Sequence, residues 1–136
     1  MHALSLMTTS GLMALSAAAL AAGGGAPEYL STSRPRVNLD GRWEFRLDPE
    51  DQGLAGEWYG ADVAYPDHIR VPGNWQAQGF GEPRRHLRRD YQGKAWYRRT
   101  VRIPEDWAGQ RVWLHLGGVV NTAEVYADGT HVGSVD

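Results

Sequence analysis

After Val37, apolar and polar residues alternate with a period of two, the pattern of strands that bury one face. Trp43, Phe45 and Leu47 alternate with Arg42, Glu44 and Arg46. Residues 48–60 are polar and glycine-containing, which predicts a loop. Ile69-Arg70-Val71 reads as a short strand stopped by Pro72. Residues 95–103 form a longer run, with Ala95, Tyr97, Val101 and Ile103 on one face and Trp96, Arg98, Thr100 and Arg102 on the other. Val112, Leu114 and Leu116 alternate with Trp113 and His115. Ala123–Ala127 and Thr130–Val132 flank Asp128-Gly129, a two-residue hairpin turn that needs positive φ at both positions.

Short strands separated by turn residues, with no amphipathic helix, predict an all-β chain folded as an antiparallel β-sandwich. A jelly roll takes about eight strands, and five or six are legible here. The sandwich is therefore expected to be incomplete at its C-terminus. Its apolar row (Trp43, Phe45, Tyr97, Val101, Val112, Leu114, Leu116 and Val125) would then be covered by strands lying beyond Asp136. Without them the chain is expected to be insoluble or molten, because each large side chain left wet forfeits roughly 1.5–3 kcal/mol.

The first 22 residues have another character. Residues 4–22 are apolar or small, carry no charge, and contain Ala19-Leu20-Ala21, the small-x-small pattern at which leader peptides are cut. They are read as a signal peptide, which places the protein in the periplasm or outside the cell. Ser, Thr and Gly interrupt the run, so a membrane span is not expected. Residues 23–36, opening on Gly23-Gly24-Gly25-Ala26-Pro27, read as a linker. The folded domain is expected over 37–136.

Composition narrows the function. The net charge is −2, without the basic surplus of a nucleic-acid binder. The run Arg84-Arg85-His86-Leu87-Arg88-Arg89 suits either a solvated loop or an anion or uronate site. No cysteine is present, so disulfides and thiolate chemistry are excluded. The five histidines lack metal-ligand spacing, and no cofactor motif occurs. Six Trp and six Tyr against two Phe suit surfaces that are half apolar and half wet, including sugar platforms and domain interfaces.

Four stretches occur in order. They are Leu39-Asp40-Gly41-Arg42-Trp43-Glu44-Phe45, then Val71-Pro72-Gly73-Asn74-Trp75-Gln76, then Tyr91 to Thr100 (YQGKAWYRRT), and last Leu116-Gly117-Gly118-Val119 through Ala123–Gly129 to Val132-Gly133. This series resembles the N-terminal sugar-binding domain of family 2 glycoside hydrolases, a galactose-binding-like jelly roll found in β-galactosidases, β-glucuronidases and β-mannosidases. Asp128 stands where that family usually has Asn, and either tolerates the turn.

The resemblance implies a carbohydrate partner and a downstream catalytic barrel bearing two glutamates, so no catalytic residue is expected within this chain. Asn74 and Trp75 are candidate sugar-binding residues, since an amide can bond hydroxyls and an indole can stack on a pyranose. Packing against the next domain is the other reading of that loop. Trp96 and Trp113 carry the same pair of readings. Asp136 is a further candidate, because in some β-galactosidases a carboxylate after the Val-Gly pair reaches the active site. A free-standing carbohydrate-binding module, or the similar sandwich of a sialate O-acetylesterase, would fit the same motifs.

Export through the N-terminal segment predicts a mature chain that starts after Ala21. N-terminal sequencing of protein from the native host checks this, and a mature chain starting at residue 1 or 2 would count against it.

Overall fold

The computed structural model describes residues 2–8, 12–20, 35–84 and 88–135, and its strands form two main sheets and a small hairpin. The strands are β1 (His2–Thr8), β2 (Leu12–Leu20), β3 (Arg36–Asn38), β4 (Gly41–Asp48), β5 (Asp67–Val71), β6 (Gly73–Asn74), β7 (Glu82–Arg84), β8 (Arg88–Asp90), β9 (Lys94–Val101), β10 (Arg111–Val119), β11 (Ala123–Ala127) and β12 (Thr130–Val135). The larger sheet has the order β12-β11-β1-β9-β4-β5, with neighbouring strands antiparallel throughout. The smaller sheet runs β10-β2-β3, with β6 also paired to β2. Among the described residues, β7 and β8 form a separate two-stranded sheet. The chain is thus an all-β antiparallel sandwich.

The alternation read from the sequence sets the core. Trp43, Phe45, Ala95, Tyr97, Val101 and Val125 project inward from the larger sheet and join Leu39, Ile69, Val71 and Trp75 in one buried cluster. Phe45 is the hub, with ring centroids 4.5 Å from Phe80, 5.0 Å from Tyr97 and 6.2 Å from Trp75. Such tilted and edge-on contacts suit the aromatic quadrupole. The Trp43 indole N–H donates to the Leu39 carbonyl at 2.8 Å, which ties the start of β4 to the chain before it. Asp128 and Gly129 take φ of 47° and 79°, the two positive values the β11–β12 hairpin requires.

The opposite face of the larger sheet is covered over part of its area. Turns over residues 49–62 fold back across it and build a second cluster, in which Trp96, Tyr65 and Tyr126 are buried and Trp58, Tyr59 and Val63 pack around them. Tyr59 stacks on Tyr126 with parallel rings 4.6 Å apart. The clamp is Asp48, which is 2% exposed. Its carboxylate accepts the N–H groups of Gln52 at 2.7 Å and Gly53 at 2.9 Å, and the Trp96 indole N–H at 3.1 Å.

The N-terminal segment read as a leader supplies β1, in the middle of the larger sheet, and β2, in the middle of the smaller one. The apolar row expected to await strands beyond Asp136 therefore has these two strands beside it. Cover is unequal along it: Leu114 and Leu116 are half-buried, whereas Val112 is 41% exposed. Most of the linker, residues 23–34, lies outside the described residues, and Arg36 already opens β3.

Removing the Asp48 carboxylate strands three donors in a dry site, and each unsatisfied buried group costs about 1–3 kcal/mol. Asp48→Ala should lower the unfolding free energy by about 2–4 kcal/mol in urea titration. Asp51→Asn, which removes the charge of an exposed pair with Lys94 and keeps a residue type suited to the φ of 54° there, should change it by less than about 1 kcal/mol.

Candidate functional site

The loop that carries Asn74 and Trp75 is built by close backbone approaches. Val71 is buried at the end of β5, and Gly73 follows the Val71-Pro72 bond. A Cβ on Gly73 would lie 2.7 Å from the Arg70 carbonyl oxygen and 2.3 Å from Gln78 Nε2, so no larger residue fits. The Gln78 side chain fixes the loop from the other side: its Oε1 accepts the Arg70 N–H at 2.7 Å, and its Nε2 donates to the Arg70 carbonyl at 2.9 Å. Asn74 is exposed and its Oδ1 accepts the Ala77 N–H at 3.2 Å, holding the 3₁₀ turn Gln76–Gln78.

Trp75 has no exposed surface. Its indole lies in the core beside Phe45 and Tyr91, and its N–H donates to the Tyr97 hydroxyl. It therefore offers no open ring face for a sugar to stack on, and its contacts anchor the loop that presents Asn74. Trp96 is likewise fully buried, because the 49–62 turns cover the face that periodicity assigned to the outside. Trp113 remains 40% exposed, with the Arg111 guanidinium 5.9 Å from its ring centroid. Asp136 lies outside the described residues. The structure thus keeps Asn74 at the surface, sends Trp75 inward, and describes no group uniting the three candidates.

The two arginines of the third motif are structural. Arg98 forms a two-pronged ion pair with Glu44, Nε to Oε2 at 2.7 Å and Nη2 to Oε1 at 3.2 Å. Its Nη1 also donates to the carbonyls of Gly60, Ala61 and Val63, and its guanidinium lies 4.3 Å from the Tyr65 ring centroid. Arg99 donates to the carbonyls of Leu39 and Asp40. Hydrogen bonding from Arg98 holds the Glu44 carboxyl below the usual glutamate range, against the opposing effect of partial burial. Burial pushes the Tyr65 hydroxyl up to about 12, and that hydroxyl donates to the Trp58 carbonyl at 2.9 Å.

Other acids are also paired. Asp51 binds Lys94 at 2.5 Å, and Glu124 meets His131 at 2.5 Å beside the Tyr126 ring. Among the described residues, no group of three or more His, Cys, Asp or Glu is arranged to hold a metal ion. Nor does any helix there reach the length and apolarity needed to cross a membrane. Of the basic run, residues 85–87 lie outside the described residues, and Arg89 donates to the Gly81 carbonyl at 2.8 Å.

The antiparallel sandwich and the four motifs placed in it agree with one family. The chain belongs to the family described as "Glycosyl hydrolases family 2, sugar binding domain", whose model matches residues 37–136. It is 35% identical over 111 residues to a β-glucuronidase of Canis lupus familiaris and 28% identical over 102 residues to one of Paenibacillus borealis. Each of those alignments covers 75% of this chain and 16% of the relative. A β-galactosidase of Thermoanaerobacter pseudethanolicus is 39% identical over 44 residues, covering 32% of this chain and 6% of its own length. The chain thus spans about one-sixth of the length of the β-glucuronidases it matches, as the 16% coverage states. No solved structure matches the chain at a significant level.

The lowered Glu44 pKa sets a pH dependence. Its ion pair contributes stability above the ordinary glutamate range and loses it as pH falls through the lowered folded value. Glu44→Gln should therefore destabilise the chain at neutral pH, with a difference from the parent that narrows on acidification. Urea midpoints measured from pH 7 to pH 3 check this, and a pH-independent difference would refute the pairing as its cause.

Proposed function

We propose that this domain is the non-catalytic first domain of a retaining β-glycosidase and carries neither the acid/base nor the nucleophile. The observation that supports this most directly is the family match over residues 37–136, joined to relatives named β-glucuronidase that align with 75% of this chain but only 16% of their own length. Retaining hydrolysis needs two carboxyl groups about 5–5.5 Å apart, one of them free to give and take a proton. Asp48, Glu44, Asp51 and Glu124 are instead engaged by partners within the domain.

In this reading the domain packs beside a downstream barrel and forms one wall of its active site. Asn74 offers an amide to sugar hydroxyls, Trp75 positions it from the core, and Asp136 brings a carboxylate toward the sugar. Among sugars, the extent of alignment favours a β-glucuronide, since 75% of the chain aligns with β-glucuronidases and 32% with the β-galactosidase of Thermoanaerobacter pseudethanolicus. The leader-like segment accords with action in the periplasm or outside the cell.

The purified 136-residue chain should leave the nitrophenyl β-glycosides of glucuronic acid, galactose and mannose intact. The longer protein should cleave the glucuronide fastest. Asn74→Ala in that protein should raise KM roughly tenfold, the loss of about one charge-free hydrogen bond. Turnover by the 136-residue chain that vanishes on mutation of one of its own acids would overturn the assignment. Cleavage of acetyl esters alone by the longer protein would replace glycosidase with esterase.

A further inference from the structure

Trp113 is the one tryptophan that the fold leaves open. Trp43, Trp75, Trp96 and Trp107 are buried, and the half-buried Trp58 carries the Arg46 guanidinium over its ring at 3.5 Å from the centroid. Trp113 is 40% exposed, and the Arg111 guanidinium beside it lies 5.9 Å from its centroid. That distance is at the outer limit of cation–π contact, too far to cover the indole face. Arg111 is itself exposed, and among the described residues no carboxylate or carbonyl engages its side chain.

Strand register gives the surroundings of this pair. Leu114 and Leu116 pack on the core, so Trp113, which alternates with them, stands on the outer face of the smaller sheet. Residues opposite each other in a ladder share a face. Trp113 is opposite Ala18, which is opposite Arg36, and His115 is opposite Ser16, which is opposite Asn38. Asn38 is exposed, and its Oδ1 accepts the Asp40 N–H at 2.8 Å, which leaves its amide N–H groups for a ligand. Asn74 is opposite Leu12 of the same central strand. It therefore belongs to this outer face too, roughly 20 Å from the row of Trp113 at about 3.3 Å per residue.

The face carries one sign of charge. The strands of this sheet read RVWLHLGGV, LMALSAAAL, RVN and GN, and none of the chain's 16 acidic residues stands in them. The chain as a whole has a net charge of −2, so the arginines here are set apart from acids that outnumber the basic residues elsewhere. Such segregation attracts an anionic partner and spares it repulsion. An exposed indole suits the C–H face of a pyranose, and a guanidinium meets a carboxylate through two parallel N–H···O bonds. A chain of uronic acid sugars offers both groups. A nucleic acid calls for a broader basic surface than two arginines and a histidine provide, and an acidic peptide brings carboxylates without a saturated ring for the indole.

We propose that the outer face of the smaller sheet, centred on Trp113 and Arg111, binds a uronate-bearing oligosaccharide. Trp113 stacks on one pyranose, Arg111 pairs with a carboxylate beside it, and Asn38 bonds hydroxyls further along. The side chains named come from β3 and β10. The site rests on the first-domain reading only where the sugar chain extends to Asn74.

Titration calorimetry of the 136-residue chain with a hyaluronan octasaccharide, in which glucuronate alternates with an uncharged sugar, tests this. The octasaccharide should bind, and the same molecule with its carboxylates reduced to alcohols should bind on the order of tenfold more weakly. Trp113→Ala and Arg111→Gln should each weaken binding about tenfold. Trp113→Phe should keep it within about threefold, since a phenyl ring still stacks. Leu54→Ala, in the loop over the other sheet and 43% exposed before the change, should leave it unaltered. Arg111→Gln alone decides the matter if Trp113→Ala does not fold. Absence of binding would overturn the site, as would binding that neither Trp113→Ala nor Arg111→Gln weakens. Equal affinity for polyglutamate or for an oligothymidylate would overturn it as well, by showing a general anion surface. The Asn74 contact is scored separately with Asn74→Ala. Binding that needs Trp113 and Arg111 but not Asn74 upholds this site and counts against the Asn74 contact alone, and the reverse dependence refutes this site alone.

Discussion

β9 is the strand on which the rest of the domain converges. It is paired along both edges, to β4 on one side and β1 on the other, and it packs on both faces. Ala95, Tyr97 and Val101 point into the space between the sheets, while Trp96 and Arg98 hold the outer covering in place. A strand constrained on four sides tolerates little movement, and its neighbours inherit that rigidity. The Tyr97 hydroxyl meets the Trp75 indole and so fixes the loop that presents Asn74. Trp96 and Arg98 draw in the turns over residues 49–63, Trp96 through Asp48 and Arg98 through three carbonyls. A loop held this firmly needs no further ordering for Asn74 to be presented at the surface.

The local features of this fold were legible in the sequence because local chemistry determines them. Asp128-Gly129 specified its hairpin through backbone sterics alone, and the alternation at Trp43-Glu44-Phe45 assigned its two faces correctly. What escaped was tertiary cover. Trp96 lies on the face that periodicity assigns to solvent, yet a polar loop closes over it through one buried carboxylate. Alternation cannot reveal such a lid, because it reports which residues share a face and not what lies above it. The signal that could have found it is the spacing of Asp48, Gly53 and Trp96 around an aromatic-rich turn.

The N-terminal segment shows a different kind of ambiguity. An uncharged run of small and apolar residues satisfies a leader peptide and a buried strand equally well, since both require an absence of charge over a similar length. Trp75 is ambiguous in the same way: a tryptophan in a turn can face outward to a ligand or inward as an anchor, and the choice depends on Tyr97 and Phe45, which lie in other strands. Family membership, by contrast, was legible, because it rests on motifs whose residues perform these anchoring tasks. Arg98 and Arg99 of the third motif bond backbone carbonyls, and Gly73 of the second permits a close backbone approach.

The contact at Gly53 bears on how this domain can diverge. A Cβ there would sit 2.0 Å from the Trp96 indole nitrogen and 2.7 Å from Asp48 Oδ2. Positions 48, 53 and 96 therefore form one physically coupled unit. A lineage that enlarges residue 53 must first shrink the indole, and one that loses the indole leaves the carboxylate with a donor fewer. A change at one of the three alone meets a clash or strands a polar group, so substitutions at these positions are coupled in their effect on stability.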